Sequence, residues 1–231
     1  MMEEPFIHKV FIEKEKKTGN SDRLDSPSSK SRNKNPIQEK LWLSERGFMT
    51  DALTEENQNK QVEQAVLAYP IKHYYRWQEE LQLENIEVGS MGEDFSVLEM
   101  DEYSVFIGDI YRIGDAVIQV AQPRLPTWHI AERLRVEDLA VRMQRTGRTG
   151  WYFRVLKEGF IQAGTDIDLM ERPNPRWSIA ACNEIMHLFK EDLRLAEELM
   201  HCPALAKTWK QALKKRLLGL PSNEKKRLYG I

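Results

Sequence analysis

Short apolar runs broken by Gly and Asp occupy most of this chain, and a helical period takes over near its end. Ile7 to Ile12 reads as a short strand. Glu13 to Pro36 holds Lys, Asn, Ser and Asp with Leu24 as its large apolar residue; such a stretch buries too little to offset ordering entropy and predicts a mobile loop. Leu41-Trp42-Leu43 predicts a strand, Gly47 to Asp51 a turn, and Ala65 to Tyr69 another strand. Pro70 suits a first helical position, and Tyr74, Trp77 and Leu81 then follow at helical spacing, an aromatic stripe that reads as core. Tyr103–Ile107, Ile110–Ile113 and Ala116–Val120 are β-branched or aromatic runs, with turns at Gly108-Asp109 and Gly114-Asp115. Val136 to Thr146 predicts a helix that Gly147 can cap. A hairpin is expected to pair Trp151–Leu156 with Phe160–Ala163, and Ile167–Leu169 adds a strand.

From Ser178 the pattern turns helical. Ser178 can cap a helix carrying Ile179, Cys182, Met186 and Phe189 on one face. Leu193, Ala196 and Met200 mark a second helix. Pro203 opens a third with Leu205, Trp209 and Leu213, ended by Gly219-Leu220-Pro221, and a tail helix spans Asn223 to Tyr229. The fold class is therefore mostly β with helices. A β-barrel or sandwich over residues 1–175 is followed by a small helical bundle over 176–231.

Composition narrows the function classes. A net charge of -2 drives the chain toward neither nucleic acid nor membrane. No window holds the apolar run of a membrane span, and Met1 to Phe11 lacks a signal-peptide core. Two cysteines, Cys182 and Cys202, form no CxxC spacing; they fit a reducing, cytoplasmic setting and no structural zinc. Cys182 reads as a buried apolar residue, and Cys202, before Pro203, stands where a helix start can lower a thiol pKa. The five histidines, His8, His73, His129, His187 and His201, show no metal-binding spacing.

The densest chemistry lies at Gln122-Pro123-Arg124-Leu125-Pro126-Thr127-Trp128-His129. Two prolines stiffen this corner, and Arg124 carries a fixed-charge fork suited to phosphate or carboxylate, or to a salt bridge with a local acid. Three other segments accompany it: Gly89-Ser90-Met91-Gly92-Glu93-Asp94, Gly150-Trp151-Tyr152-Phe153-Arg154-Val155, and Ala206-Lys207-Thr208-Trp209 through Arg227. Together, in their order along the chain, the four segments resemble the MOSC domain of molybdenum cofactor sulfurases and related bacterial proteins. The match is to the YiiM-type branch linked to hydroxylaminopurine resistance, and it covers about Val10 to Ile231.

The resemblance implies a barrel that binds molybdenum cofactor and helps reduce N-hydroxylated compounds with electrons from a redox partner. By position, Arg124, Arg154, Glu93, Gly92, Asp51 and Trp151 would line the cofactor site. The family's cysteine falls on Thr127 and its histidine on Asn59. Gln64 occupies a basic position, and His129 stands where lysine is common. A hydroxyl is hard and weakly acidic, so Thr127 cannot form a persulfide or act as a soft thiolate. Altered or weakened catalysis follows, and a non-catalytic binding or adaptor module is the alternative. Glu93 and Arg154 can instead pair with each other or with neighbours in the barrel wall. Some relatives fuse a pyridoxal phosphate sulfurase domain, which this chain lacks. No residue set is a firm metal site.

The segment from Pro203 onward sets Lys207, Lys210, Lys214, Lys215, Arg216, Lys225, Lys226 and Arg227 against one acid, Glu224. Such a stripe can dock an acidic redox protein or form a solvated face; nucleic acid is the weaker reading.

Overall fold

Pleated pairing fixes the frame. In the computed structural model, residues 4–13, 34–49, 61–82 and 86–231 are described. Eleven strands run β1 Phe6–Glu13, β2 Lys34–Ile37, β3 Leu41–Ser44, β4 Gly47–Phe48, β5 Val66–Pro70, β6 Phe95–Leu98, β7 Ile110–Ile113, β8 Ala116–Pro123, β9 Trp151–Lys157, β10 Gly159–Ile161 and β11 Asp168–Glu171. Among the described residues the α-helices are α1 Lys72–Leu81, α2 Trp128–Leu134, α3 Leu139–Thr146, α4 Ile179–His187, α5 Leu193–Met200, α6 Lys207–Leu217 and α7 Glu224–Tyr229. A curled sheet has the order β11-β7-β8-β9-β5-β6-β1-β2, and a second sheet has the order β10-β3-β4. This is the barrel-like domain with a helical extension that the pattern predicts.

Several elements differ from expectation, each for a physical reason. Residues 34–36, expected in a mobile loop, belong to β2, which pairs with β1 through Phe11↔Pro36 and Val10↔Ile37. Strand β2 is an edge, where a proline withholds no needed donor. Gly47 and Phe48 form β4 instead of a turn. Pro70 ends β5 and does not open a helix. The β9 ladder along β5 stops at Ala68, so no N–H is required of Pro70 toward β9. Tyr103–Ile107 is no strand: Asp101 accepts the N–H groups of Tyr103 and Ser104 and closes a local turn. The expected hairpin between β9 and residues 160–163 does not form. Both edges of β9 are already occupied, by β5 and β8, so β10 leaves to pair with β3. Gly159 permits this departure, because a Cβ there would lie 2.4 Å from the Asp115 carbonyl carbon.

The helical region shows smaller shifts. Helix α2 was not legible; α3 begins at Leu139 instead of Val136, and Gly147 closes it with a φ of 72°. Ser178 caps α4 by accepting from the Ala181 N–H. Phe189 lies past α4 and is half exposed. Pro203 sits in a turn, and α6 starts at Lys207.

One apolar cluster runs without a break from the barrel (Val10, Phe95, Ile118, Trp151) into the helices (Cys182, Leu199, Trp209, Leu213). A second cluster gathers α1, α2, α3 and Leu228 of α7 around Tyr69, Tyr74 and Trp77. The stripe on α1 is thus core, as its period implies. Among the described residues no helix is long and apolar enough to cross a membrane.

Candidate functional site

The corner begins where β8 ends. Pro123 stands opposite Trp151, and the Arg124 N–H donates to the Gly150 carbonyl at 3.1 Å. Gly150 is required there: its φ is +70°, and a Cβ would lie 2.3 Å from the Ala68 carbonyl oxygen. The chain then runs through Pro126 into Thr127, which is half-buried, holds the N-cap position of α2 and makes no capping bond. His129 is exposed and stacks on Trp128 at 3.9 Å.

Arg124 reaches across to the Gly89–Gly92 loop, where its Nη1 donates to the Met91 carbonyl at 2.7 Å. The acceptor of this bond is neutral. Among the described residues the salt bridge that composition allowed is replaced by a carbonyl contact, and no carboxylate there is bonded to the guanidinium.

The loop is held from below. The Tyr74 hydroxyl donates to Glu93 Oε1 at 2.6 Å and accepts from the N–H groups of Gly89 (3.0 Å) and Met91 (3.1 Å). Glu93 Oε1 also accepts from the Gly89 N–H at 2.8 Å. Gly92 and Ser90 donate to the carbonyls of Gly89 and Glu87. These amides are thus committed inside the loop. Gly92 has positive φ and admits the Arg133 guanidinium, 2.9 Å from where a Cβ would stand.

Glu93 is fully buried, its Oε2 has no partner among the described residues, and burial raises its pKa. Its Oε1 anchors the loop. Trp151 is likewise fully buried, packs edge-on to Phe153, and leaves its Nε1 unpartnered. Its place in the core corrects its reading as a ligand contact.

Arg154 lies elsewhere, at the junction of barrel and helices. It donates to Gln119 Oε1 (3.0 Å), the Ala204 carbonyl (2.8 Å) and Glu63 (3.3 Å), while Glu63 accepts the Lys207 N–H at 2.8 Å. Arg154 thus pairs with neighbours and not with Glu93; the structure does not bring it to Arg124. Asp51 and Asn59 lie outside the described residues. Gln64, at the basic position, ends a short 3-10 turn.

The thiols do not supply the missing sulfur at the corner. Cys182 and Cys202 are free and buried in the helical region, and burial raises both thiol pKa values. His73 is buried against Glu102 at 2.7 Å, and Glu102 accepts the Gly150 N–H at 2.8 Å. Among the described residues no cluster of three His, Cys, Asp or Glu fits a metal ion.

Sequence reasoning missed several participants. The phenol of Tyr74 was read as core alone. Helix α6 seats on the corner through Trp209 Nε1 to the Pro123 carbonyl (3.1 Å) and Thr208 to Gln122 (2.6 Å). Arg227 of α7 donates to the Pro126 carbonyl and to Gln144 Oε1. These contacts span 80 residues or more of sequence, so no local pattern could have signalled them. Lys214 and Lys215 stay exposed on α6, whereas Arg216 is used on the carbonyls of Ile185 and Met186.

Comparison with known proteins places this geometry. Residues 50–168 match the MOSC domain model, and residues 177–219 match the YiiM-like 3-alpha helix domain. Protein YiiM of Escherichia coli is 31% identical over 193 residues, covering 82% of this chain and 86% of that protein. A protein of Gibberella moniliformis described as a reductase is 38% identical over 144 residues, 61% of this chain and 26% of that one. The crystal structure of YiiM from Geobacillus stearothermophilus superposes with a TM-score of 0.75 at 29% identity, covering 92% of this chain and 99% of that one.

Proposed function

This chain belongs to the MOSC domain family, in its YiiM-type branch, and on that premise we propose that its Pro123–Thr127 corner binds molybdenum cofactor and serves the reduction of N-hydroxylated compounds, with catalysis altered by Thr127. MOSC domains are associated with that cofactor. The observation that carries the reading is Arg124: a guanidinium held at the corner by a neutral carbonyl, with its charge free to meet an anion.

The residues fit the group in part. Arg124 suits the cofactor's phosphate. A hydroxyl at 127 does not suit the soft metal, because threonine supplies no thiolate at neutral pH. When bound, the cofactor would supply two-electron redox chemistry. This chain's own part is to hold the anionic end at Arg124, to fix the corner through Gly150 and Trp209, and to present the Thr127 hydroxyl as a hydrogen-bond donor or acceptor. The committed loop amides and the buried Glu93 favour the second reading, a binding or adaptor module without turnover.

Electrons would come from a protein partner. A related segment inside a longer protein described as a reductase supports that arrangement. The exposed Lys207, Lys214 and Lys215 of α6 offer an acidic partner a complementary face beside the corner. Two free, buried thiols support a cytoplasmic setting.

The test is bound molybdenum per chain after expression in a host that makes the cofactor. Near-stoichiometric metal, lost in Arg124→Ala, supports cofactor binding. No metal in the wild type and none in Thr127→Cys overturns it and leaves the adaptor reading.

A further inference from the structure

We infer that Arg227 is a positioning residue of the corner, one that holds Pro126 in place and gives Thr127 a positive field selective for anionic ligands. The inference rests on the corner being the ligand site. It concerns a residue outside both matched segments, which end at 168 and 219.

Four contacts fasten α7 to the corner. Arg227 donates to the Pro126 carbonyl, one residue before Thr127. Its other arm donates to Gln144 Oε1 on α3. Leu228 is buried in the cluster that holds Ile130 and Ala131 of α2. Gly230, with φ +76°, lies flat on Trp128, where a Cβ would sit 3.2 Å from the ring. The residues on either side of Thr127 are therefore both gripped by one short helix.

Arg227 makes no direct bond to a carboxylate, and Glu224 acts on it only from a distance. Both bonded acceptors are neutral, as with Arg124. The nearby carboxylate is Glu224, which is already held by Lys190 at 2.8 Å and by Gln144 at 2.6 Å. His187 also faces this group, and burial together with Arg227 lowers its pKa to about 3, so it adds no charge at neutral pH. Arg216 adds a further cation, bonded to carbonyls. Two guanidiniums held by neutral oxygens thus belong to the corner: Arg124 is part of it, and Arg227 bonds its Pro126 carbonyl. Partial burial weakens solvent screening of such charges.

The test places a reporter at the corner. In Thr127→Cys protein, the rates of alkylation by anionic iodoacetate and by neutral iodoacetamide are measured under the same conditions. Both reagents consume the same thiolate, displacing iodide, so their ratio reads the local field and cancels thiol ionisation. The unmodified chain, whose two thiols are buried, gives the background. Arg227→Gln is expected to lower the iodoacetate-to-iodoacetamide ratio about two- to sixfold, the range for removing one charge several ångströms away in a partly screened site. Arg227→Lys, which keeps the charge, is expected to restore it. A ratio unchanged in Arg227→Gln overturns the inference. So does an equal rise of both rates in Arg227→Gln and Arg227→Lys, which would mark α7 as packing alone. No cofactor is needed, so this outcome is independent of the molybdenum measurement.

Discussion

Arg124 and Arg154 have the same side chain, lie within paired strands or at a strand's end, and read alike in sequence. The structure gives them opposite situations. Arg154, at the barrel–helix junction, meets a carboxylate, an amide and a carbonyl. Arg124, at the corner, meets one carbonyl. A guanidinium becomes available to a ligand when the fold withholds a counter-charge from it. A guanidinium that closes a junction is structural, however suggestive its motif.

The comparison can be broken or sharpened by substitution. Gly150→Ala carries the largest expected effect, because the new Cβ meets backbone at a positive φ. A loss of roughly 3 kcal/mol or more in denaturant unfolding is expected; near-wild-type stability would mean that the corner is not anchored at Gly150. Arg154→Met should follow, with a loss of about 2 kcal/mol, since it takes the ion pair from partly buried Glu63 and a donor from Gln119 and the Ala204 carbonyl. Arg124→Met should cost about 1 kcal/mol or less, the worth of one hydrogen bond to a carbonyl, while abolishing anion retention. If Arg124→Met proved as destabilising as Arg154→Met, the contrast between the two would collapse.

The smallest effect concerns Glu93. Its pKa is raised in the folded chain, first by burial and against the opposing bond from Tyr74. Its contribution to stability is therefore complete below the unfolded-state value and is lost as pH rises through the folded one. Wild type should lose melting temperature across that window, and Glu93→Gln should flatten the slope. A slope unchanged by Glu93→Gln would show that Glu93 is ionised without penalty.

Where the chemistry is local, the sequence is readable. The period of Ile179, Cys182 and Met186, the Ser178 cap and the Tyr74–Trp77 stripe all appear in the structure because each depends on neighbours within a few positions. The corner was legible as a corner for the same reason: Pro123 and Pro126 stiffen their own backbone. What the sequence withheld was competition. Trp151–Leu156 and Phe160–Ala163 make a good hairpin until β5 and β8 claim both edges of β9. Trp151 looks like a ligand contact until it is fully buried. Arg227 looks like one member of a basic tail until its fork lands on Pro126.

The position of β1 has a consequence for how this protein is made. It lies between β2 and β6, with Val10 opposite Ile37 on one side and Phe95 on the other. During synthesis this strand leaves the ribosome long before Phe95–Leu98 exists to cover its second edge. It must wait as a one-sided apolar ribbon, the kind of surface that chaperones bind and that drives premature association. Closure of the sheet is therefore a late, non-local event, and slow folding with a sensitivity to crowded, rapid expression is built into the strand order itself.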